Sequence, residues 1–123
     1  MTRTADLSGK KILVVEDEYY LATDIARALT AAGAKVLGPC PDAESALDVL
    51  SDEAPSGVLL DINLGDGADF RVAAALAKRQ IPFIFATGYD PEVIPAEFSS
   101  IKCLHKPLRL NDIVQALGGG LPA

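Results

Sequence analysis

Residues 59–67 read "LLDINLGDG". With Val58, three apolar residues run directly into Asp61, and glycines follow at 65 and 67. A buried charge is costly unless something pairs with it. Asp61 is therefore either a surface residue at the end of a strand or one member of a charged site. What lies at the ends of the other apolar runs decides between the two.

Working outward, "ILVV" at 12–15 is a short apolar run of the kind found in strands buried on both faces. "EDEYYLATDIARALTAAGAKV" follows, with Leu21, Ile25, Leu29 and Ala32 at helical spacing and Gly33 as a stop. "KVLG" at 35–38 reads as a second strand ending at Gly38 and Pro39. Asp42 is a candidate N-cap for a second helix, in which Ala43, Ala46, Leu47 and Leu50 recur on one face. "GVLLD" is a third strand, "GADFRVAAALAKRQ" a third helix, "PFIFAT" a fourth strand and "IKCLH" a fifth. "LRLNDIVQALGGG" closes the chain as a helix with Leu110, Ile113, Val114 and Leu117 on one side. Between the last two strands, Pro91 and Pro95 restrict "GYDPEVIPAEFSS" to a short helix. A strand–helix alternation repeated five times predicts an α/β fold, a parallel sheet with helices on both faces. It occupies residues 1–123 as one domain, with a core of about 10–117 and short tails.

Such sheets bind ligands at the carboxyl ends of their strands. The first strand ends in Glu16, Asp17 and Glu18, the third in Asp61, the fourth in Thr87, and the fifth in Lys106 followed by Pro107. Taken singly, "EDE" reads as a solvated acidic rim, Lys106 as a solvated lysine and Thr87 as a strand-end hydroxyl. Taken together they form a set. Glu16, Asp17 and Asp61 repel one another, and a divalent cation removes that penalty. Few hard oxygen ligands with positions open to water suit Mg²⁺. Lys106 adds a point charge and Thr87 a hydroxyl donor. Phosphoryl transfer uses this equipment, and a carboxylate can itself be the covalent acceptor.

Composition narrows the classes. Hydrophobic residues make up 50% of the 123, charged residues 23%, and the net charge is −6. Nucleic-acid binding needs clustered Lys and Arg, and only the pairs at 10–11 and 78–79 occur, which read as solvated element ends. No apolar run approaches the roughly 20 residues of a membrane span, and "MTRTADLSGKK" lacks the hydrophobic centre of an export signal. A cytoplasmic protein with neither membrane nor nucleic-acid partner is expected. Cys40, Cys103 and His105 match no familiar zinc spacing, and the cysteines are expected to be reduced, mostly buried thiols.

"ILVVEDE", "VLLDINLGDG", "FIFATGYD" and "CLHKPL", in this order and at these intervals, resemble the receiver domain of two-component response regulators. The resemblance covers about Lys10 to Leu117. It implies a flavodoxin-like, five-stranded parallel sheet in order 2-1-3-4-5, flanked by five helices. It implies that Asp61 is the phosphoacceptor, that Asp17 and Asp61 ligate Mg²⁺ with Glu16 acting through water, and that the Asn63 backbone carbonyl completes the site. Lys106 would pair with Asp61 and then with the phosphoryl group, and Thr87 would move to the phosphoryl oxygen. The Lys106–Pro107 bond would be cis. Asn63 and Tyr89, each two residues past a site residue, would tune water access. Receivers often carry an aromatic switch residue three positions before the lysine; here that position is Cys103, and Tyr89 is a candidate substitute. "PFIFATGYD" also resembles a stand-alone subgroup with a "PFxFATGY"-type motif.

The expected protein is thus a phosphoacceptor signalling domain rather than a conventional enzyme, catalysing only its own phosphotransfer and dephosphorylation. Its donor would be a sensor histidine kinase or a histidine phosphotransfer protein. Output would pass by protein contact through the face of the fourth helix, fifth strand and fifth helix, or by draining phosphate as a sink. A phosphorylation-independent module on the same fold is the alternative, with Cys103 its only hint. A flavodoxin-like cofactor carrier would need a phosphate-cradling loop where this chain has "EDEYY", which repels phosphate. Aspartate-dependent phosphatases usually place their nucleophile after the first strand, not the third.

Overall fold

The computed structural model describes residues 6–64, 67–88 and 93–119. Its strands are β1 (Lys11–Val15), β2 (Lys35–Cys40), β3 (Gly57–Asp61), β4 (Phe83–Thr87) and β5 (Cys103–His105). Its helices are α1 (Tyr19–Ala31), α2 (Ala43–Asp52), α3 (Arg71–Lys78) and α4 (Leu110–Gly119), with a 3-10 turn at Ala96–Phe98. The strands form one parallel sheet in the order β2-β1-β3-β4-β5.

Side chains alternate across a strand, and the sheet accordingly has two cores. Leu13, Val15, Val58, Leu60, Phe83 and Phe85 point to the side covered by α2, α3 and Phe98. Ile12, Val14, Leu59, Ile84 and Ala86 point to the side covered by α1 and α4, where Ile25, Leu29, Ile113, Val114 and Leu117 meet them. Burial on both faces explains why β3 and β4 are continuous apolar runs. Asp42 caps α2 through a 2.8 Å bond from the Ser45 backbone N–H to its Oδ1.

Four α-helices and one 3-10 turn are found among the described residues, where five helices were expected. The difference lies after β4. Pro95 has no N–H to donate to the carbonyl four residues back, so it interrupts a regular helix in this segment. Pro95 instead precedes the 3-10 turn that carries Phe98 into the core. Phe98 stacks on Phe70 at 6.1 Å and meets Phe83 and Phe85 edge-on.

The second strand also runs past its expected end. Leu13 pairs with Leu37, but Val15 pairs with Cys40, so β2 takes up an extra residue in a bulge. Gly38 has φ +85°, and a Cβ there would lie 2.7 Å from the Cys40 nitrogen. β2 is an edge strand, which lets Pro39 sit within it. The Gly38–Pro39 and Lys106–Pro107 peptide bonds are cis. Both cysteines are free thiols, Cys40 buried and Cys103 half-buried. The pair at 78–79 is not simply solvated: the Arg79 guanidinium donates to the Leu50 and Glu53 carbonyls at the end of α2. No helix among the described residues is long and apolar enough to cross a membrane.

Candidate phosphoacceptor and cation site

Strand register assembles the site. Val15 pairs with Leu60, so Glu16 comes level with Asp61. Asp61 pairs with Ala86, one residue before Thr87. Thr87 pairs with His105, which brings Lys106 alongside, and the Lys106 N–H donates to the Thr87 carbonyl at 2.8 Å. The bulged end of β2 contributes as well, because the Cys40 carbonyl accepts the Glu16 N–H at 2.9 Å.

Glu16, Asp61 and Thr87 are the three buried polar or charged residues among those described, at 3%, 1% and 1% exposure. Their burial at one sheet edge resolves the question raised by Asp61. The Lys106 ammonium bridges the two carboxylates, 2.9 Å from Asp61 Oδ2 and 3.2 Å from Glu16 Oε1. The remaining carboxylate oxygens take backbone donors. Asn63 N–H donates to Asp61 Oδ1 at 3.0 Å, and Glu18 N–H to Glu16 Oε2 at 3.0 Å. Asp61, Asn63, Gly88 and Lys106 line a cleft of about 230 Å³. Asp17 is exposed at its rim.

Burial first, then hydrogen bonding and repulsion from Asp61, push the Glu16 carboxyl up to about 7. The Glu18 N–H and the Lys106 charge pull the other way without cancelling this. For Lys106, burial works against the ammonium, but pairing with Asp61 and attraction to Glu16 outweigh it and raise its pKa. The pocket thus holds more negative charge than one lysine balances.

Oxygens of Glu16, Asp17 and Asp61 lie within 4.8 Å of one another. A magnesium ion with ligands at about 2.1 Å spans oxygens up to about 4.2 Å apart. Two carboxylates at first hand and the third through a water fit such a donor set, with oxygen ligands only. Cys103, on β5 opposite Phe85, packs against the phenylalanine core, and burial raises its thiol pKa. Tyr89 lies outside the described residues.

A cluster of ion pairs lies outside the pocket. Arg71, at the start of α3, holds Asp69 in a two-pronged ion pair and reaches Glu44 on α2. Three charges from three segments carry no spacing signal in the sequence.

A parallel α/β sheet with an acid pair, a third acid, a hydroxyl and a lysine at neighbouring strand ends defines a class. The family model of the response regulator receiver domain matches residues 12–118, and the chain belongs to that family. It is 33% identical over 111 residues to the sensory transduction protein LytT of Bacillus cereus, covering 87% of this chain and 45% of that protein. It is 34% identical over 111 residues to the positive alginate biosynthesis regulatory protein of Pseudomonas aeruginosa, covering 86% and 45%. The chain therefore spans less than half the length of these relatives. The crystal structure of the response regulator PhyR from Brucella abortus superposes with a TM-score of 0.74 at 29% identity, covering 91% of this chain and 47% of that one.

Proposed function

We propose that this chain is a Mg²⁺-dependent aspartyl phosphoacceptor with Asp61 as the acceptor. The observation that carries the reading is the Lys106 ammonium shared between buried Asp61 and Glu16, beside Asp17 and Thr87. A carboxylate held at a strand end, open to a cleft and flanked by a cation, is placed to attack phosphorus. Asp17 and Asp61, with Glu16 through water and the Asn63 carbonyl, would hold Mg²⁺, which neutralises charge on the transferring phosphoryl oxygens.

The donor is a phosphohistidine of a sensor kinase or a histidine phosphotransfer protein. Its N–P bond breaks as an Asp61 O–P bond forms, and the imidazole nitrogen keeps the electron pair. Lys106 then passes from the carboxylates to a phosphoryl oxygen, and the Thr87 hydroxyl donates to another. The group adds about −1.5 to −2 charge near pH 7. The response is a population shift in the fold, read by a protein partner on the face of the 93–101 segment, β5 and α4. Transfer without a dedicated partner would make the chain a phosphate sink. Asn63 and Tyr89 stand in the sequence where they would tune the lifetime of the phosphoryl group; Cys103 occupies the position of the usual aromatic switch, and Tyr89 is the candidate substitute for it. A cytoplasmic receiver is the setting we propose.

Incubation with a small-molecule phosphodonor, followed by intact mass, tests this. Wild type gains one phosphate, and the gain disappears on chelation of Mg²⁺ and in Asp61→Asn. A gain in Asp61→Asn would reject the assignment. Absence of any gain, with donor kinases as well, would favour a phosphorylation-independent module.

A further inference from the structure

The loop that leaves Asp61 is closed by a contact outside the pocket. Asp69 N–H donates to the Ile62 carbonyl at 2.8 Å, and Asn63 forms an antiparallel bridge with Ala68. Those two contacts make the base of the loop, and Asn63 in turn donates to Asp61 Oδ1. Asp69 is gripped by Arg71. Nε lies 3.2 Å from each carboxylate oxygen and Nη2 is 2.8 Å from Oδ2. Asp69 Oδ1 also accepts the Arg71 backbone N–H at 3.0 Å. The remaining arm, Nη1, reaches Glu44 Oε1 at 3.2 Å. Glu44 stands in the first turn of α2, which Asp42 and Ser45 anchor. The guanidinium thereby ties the acceptor loop to two helices at once.

We infer that Arg71 is a positioning residue for the acidic pocket, holding the Asn63 main chain against Asp61 by locking Asp69. This rests on the phosphoacceptor reading in one respect, that the Asn63 carbonyl serves as a cation ligand. Two-pronged guanidinium–carboxylate pairing fixes direction as well as distance, which a lysine cannot reproduce. Arg71 is exposed, so the effect is modest, about two- to five-fold.

The test uses Arg71→Ala, Arg71→Lys, Asp69→Asn and the Arg71→Ala/Asp69→Asn pair in the whole chain. Magnesium binding is read by calorimetry with the metal alone, and Asn63 amide exchange by NMR in metal-free protein. Arg71→Ala is expected to weaken magnesium binding and to speed Asn63 exchange, each about two- to five-fold. Asp69→Asn should match it, the pair should add nothing further, and Arg71→Lys should recover only part. The phosphorylation rate at saturating Mg²⁺ should stay at the wild-type value, while the Mg²⁺ concentration for half-maximal rate rises. A lower melting temperature with both binding and exchange unchanged would make Arg71 a fold contact only and overturn the inference. If wild type binds no magnesium, the functional reading fails by itself. Unchanged Asn63 exchange in Arg71→Ala then separately overturns the positioning role.

Discussion

Glu16 is the residue at which burial most plainly opposes ionisation in the pocket. Its carboxyl sits near 7 rather than at the ordinary 4.5, mainly through burial. In metal-free protein the folded state keeps a proton on Glu16 between those values, where the unfolded chain has lost it. Stability therefore falls as pH rises through that window and levels off above about 7. A divalent cation held there would favour the ionised form and offset the penalty. The melting temperature in chelator should drop from about pH 5 to about pH 8, and Mg²⁺ should raise it more at the higher pH. Glu16→Gln should flatten both trends; a metal-free profile unchanged by that substitution would count against this electrostatic account. Lys106→Met makes a second check. It strands two buried carboxylates, at a cost of about 2 kcal/mol in metal-free urea unfolding, and Mg²⁺ should recover much of the loss. Glu16, Asp17, Asp61, Thr87 and Lys106 were legible because each follows an apolar run and parallel strands end at one edge. The Asp69–Arg71–Glu44 contact was not, because it depends on where loops and helix starts meet.

Helix ends carry the strongest predictions among the elements. After α1, Ala34 N–H donates to the Leu29 carbonyl and Gly33 N–H to that of Thr30, the paired bonds of a Schellman motif. Gly33 has φ +103°, and a Cβ there would lie 2.6 Å from Ser8 Oγ. Gly33→Ala should cost about 1–2 kcal/mol in chemical unfolding. The same pair of bonds ends α3, from Ile81 to Leu76 and from Gln80 to Ala77, but the left-handed residue is Gln80 at φ +57°. Gln80→Gly should be neutral or stabilise by up to about 1 kcal/mol, so the two substitutions run in opposite directions. The stop at Gly33 was readable because glycine announces it, whereas Gln80 is a residue type that does not announce a left-handed turn. The end of β2 was misplaced for a related reason. Gly38–Pro39 signals a turn, yet an edge strand absorbs the proline in a bulge and resumes at Cys40. After β4, local proline chemistry prevails over the helical pattern of the family, and Phe98 secures the segment through the aromatic cluster instead.

At the scale of the molecule, two apolar cores hold a sheet whose carboxyl edge carries uncompensated negative charge, within a chain of net charge −6. Binding a cation only in the folded state stabilises by mass action, about 1.4 kcal/mol for each tenfold rise in free Mg²⁺ above its dissociation constant. Urea midpoints for wild type should climb with Mg²⁺ while those of Asp61→Asn climb much less. Equal slopes would put the cation elsewhere. The parallel sheet was legible because strands and helices alternate along the chain, whereas the order β2-β1-β3-β4-β5 was implied only by the resemblance to receiver domains.

Attachment of phosphate to Asp61 itself is the event to capture directly. Phosphorylated protein would be treated with borohydride, which reduces an aspartyl phosphate to homoserine, then digested and sequenced by tandem mass spectrometry. Homoserine at position 61, present only when Mg²⁺ and donor were both supplied, is the expected result. Homoserine at Asp17 or any other aspartate, or a phosphate that resists reduction, would contradict it.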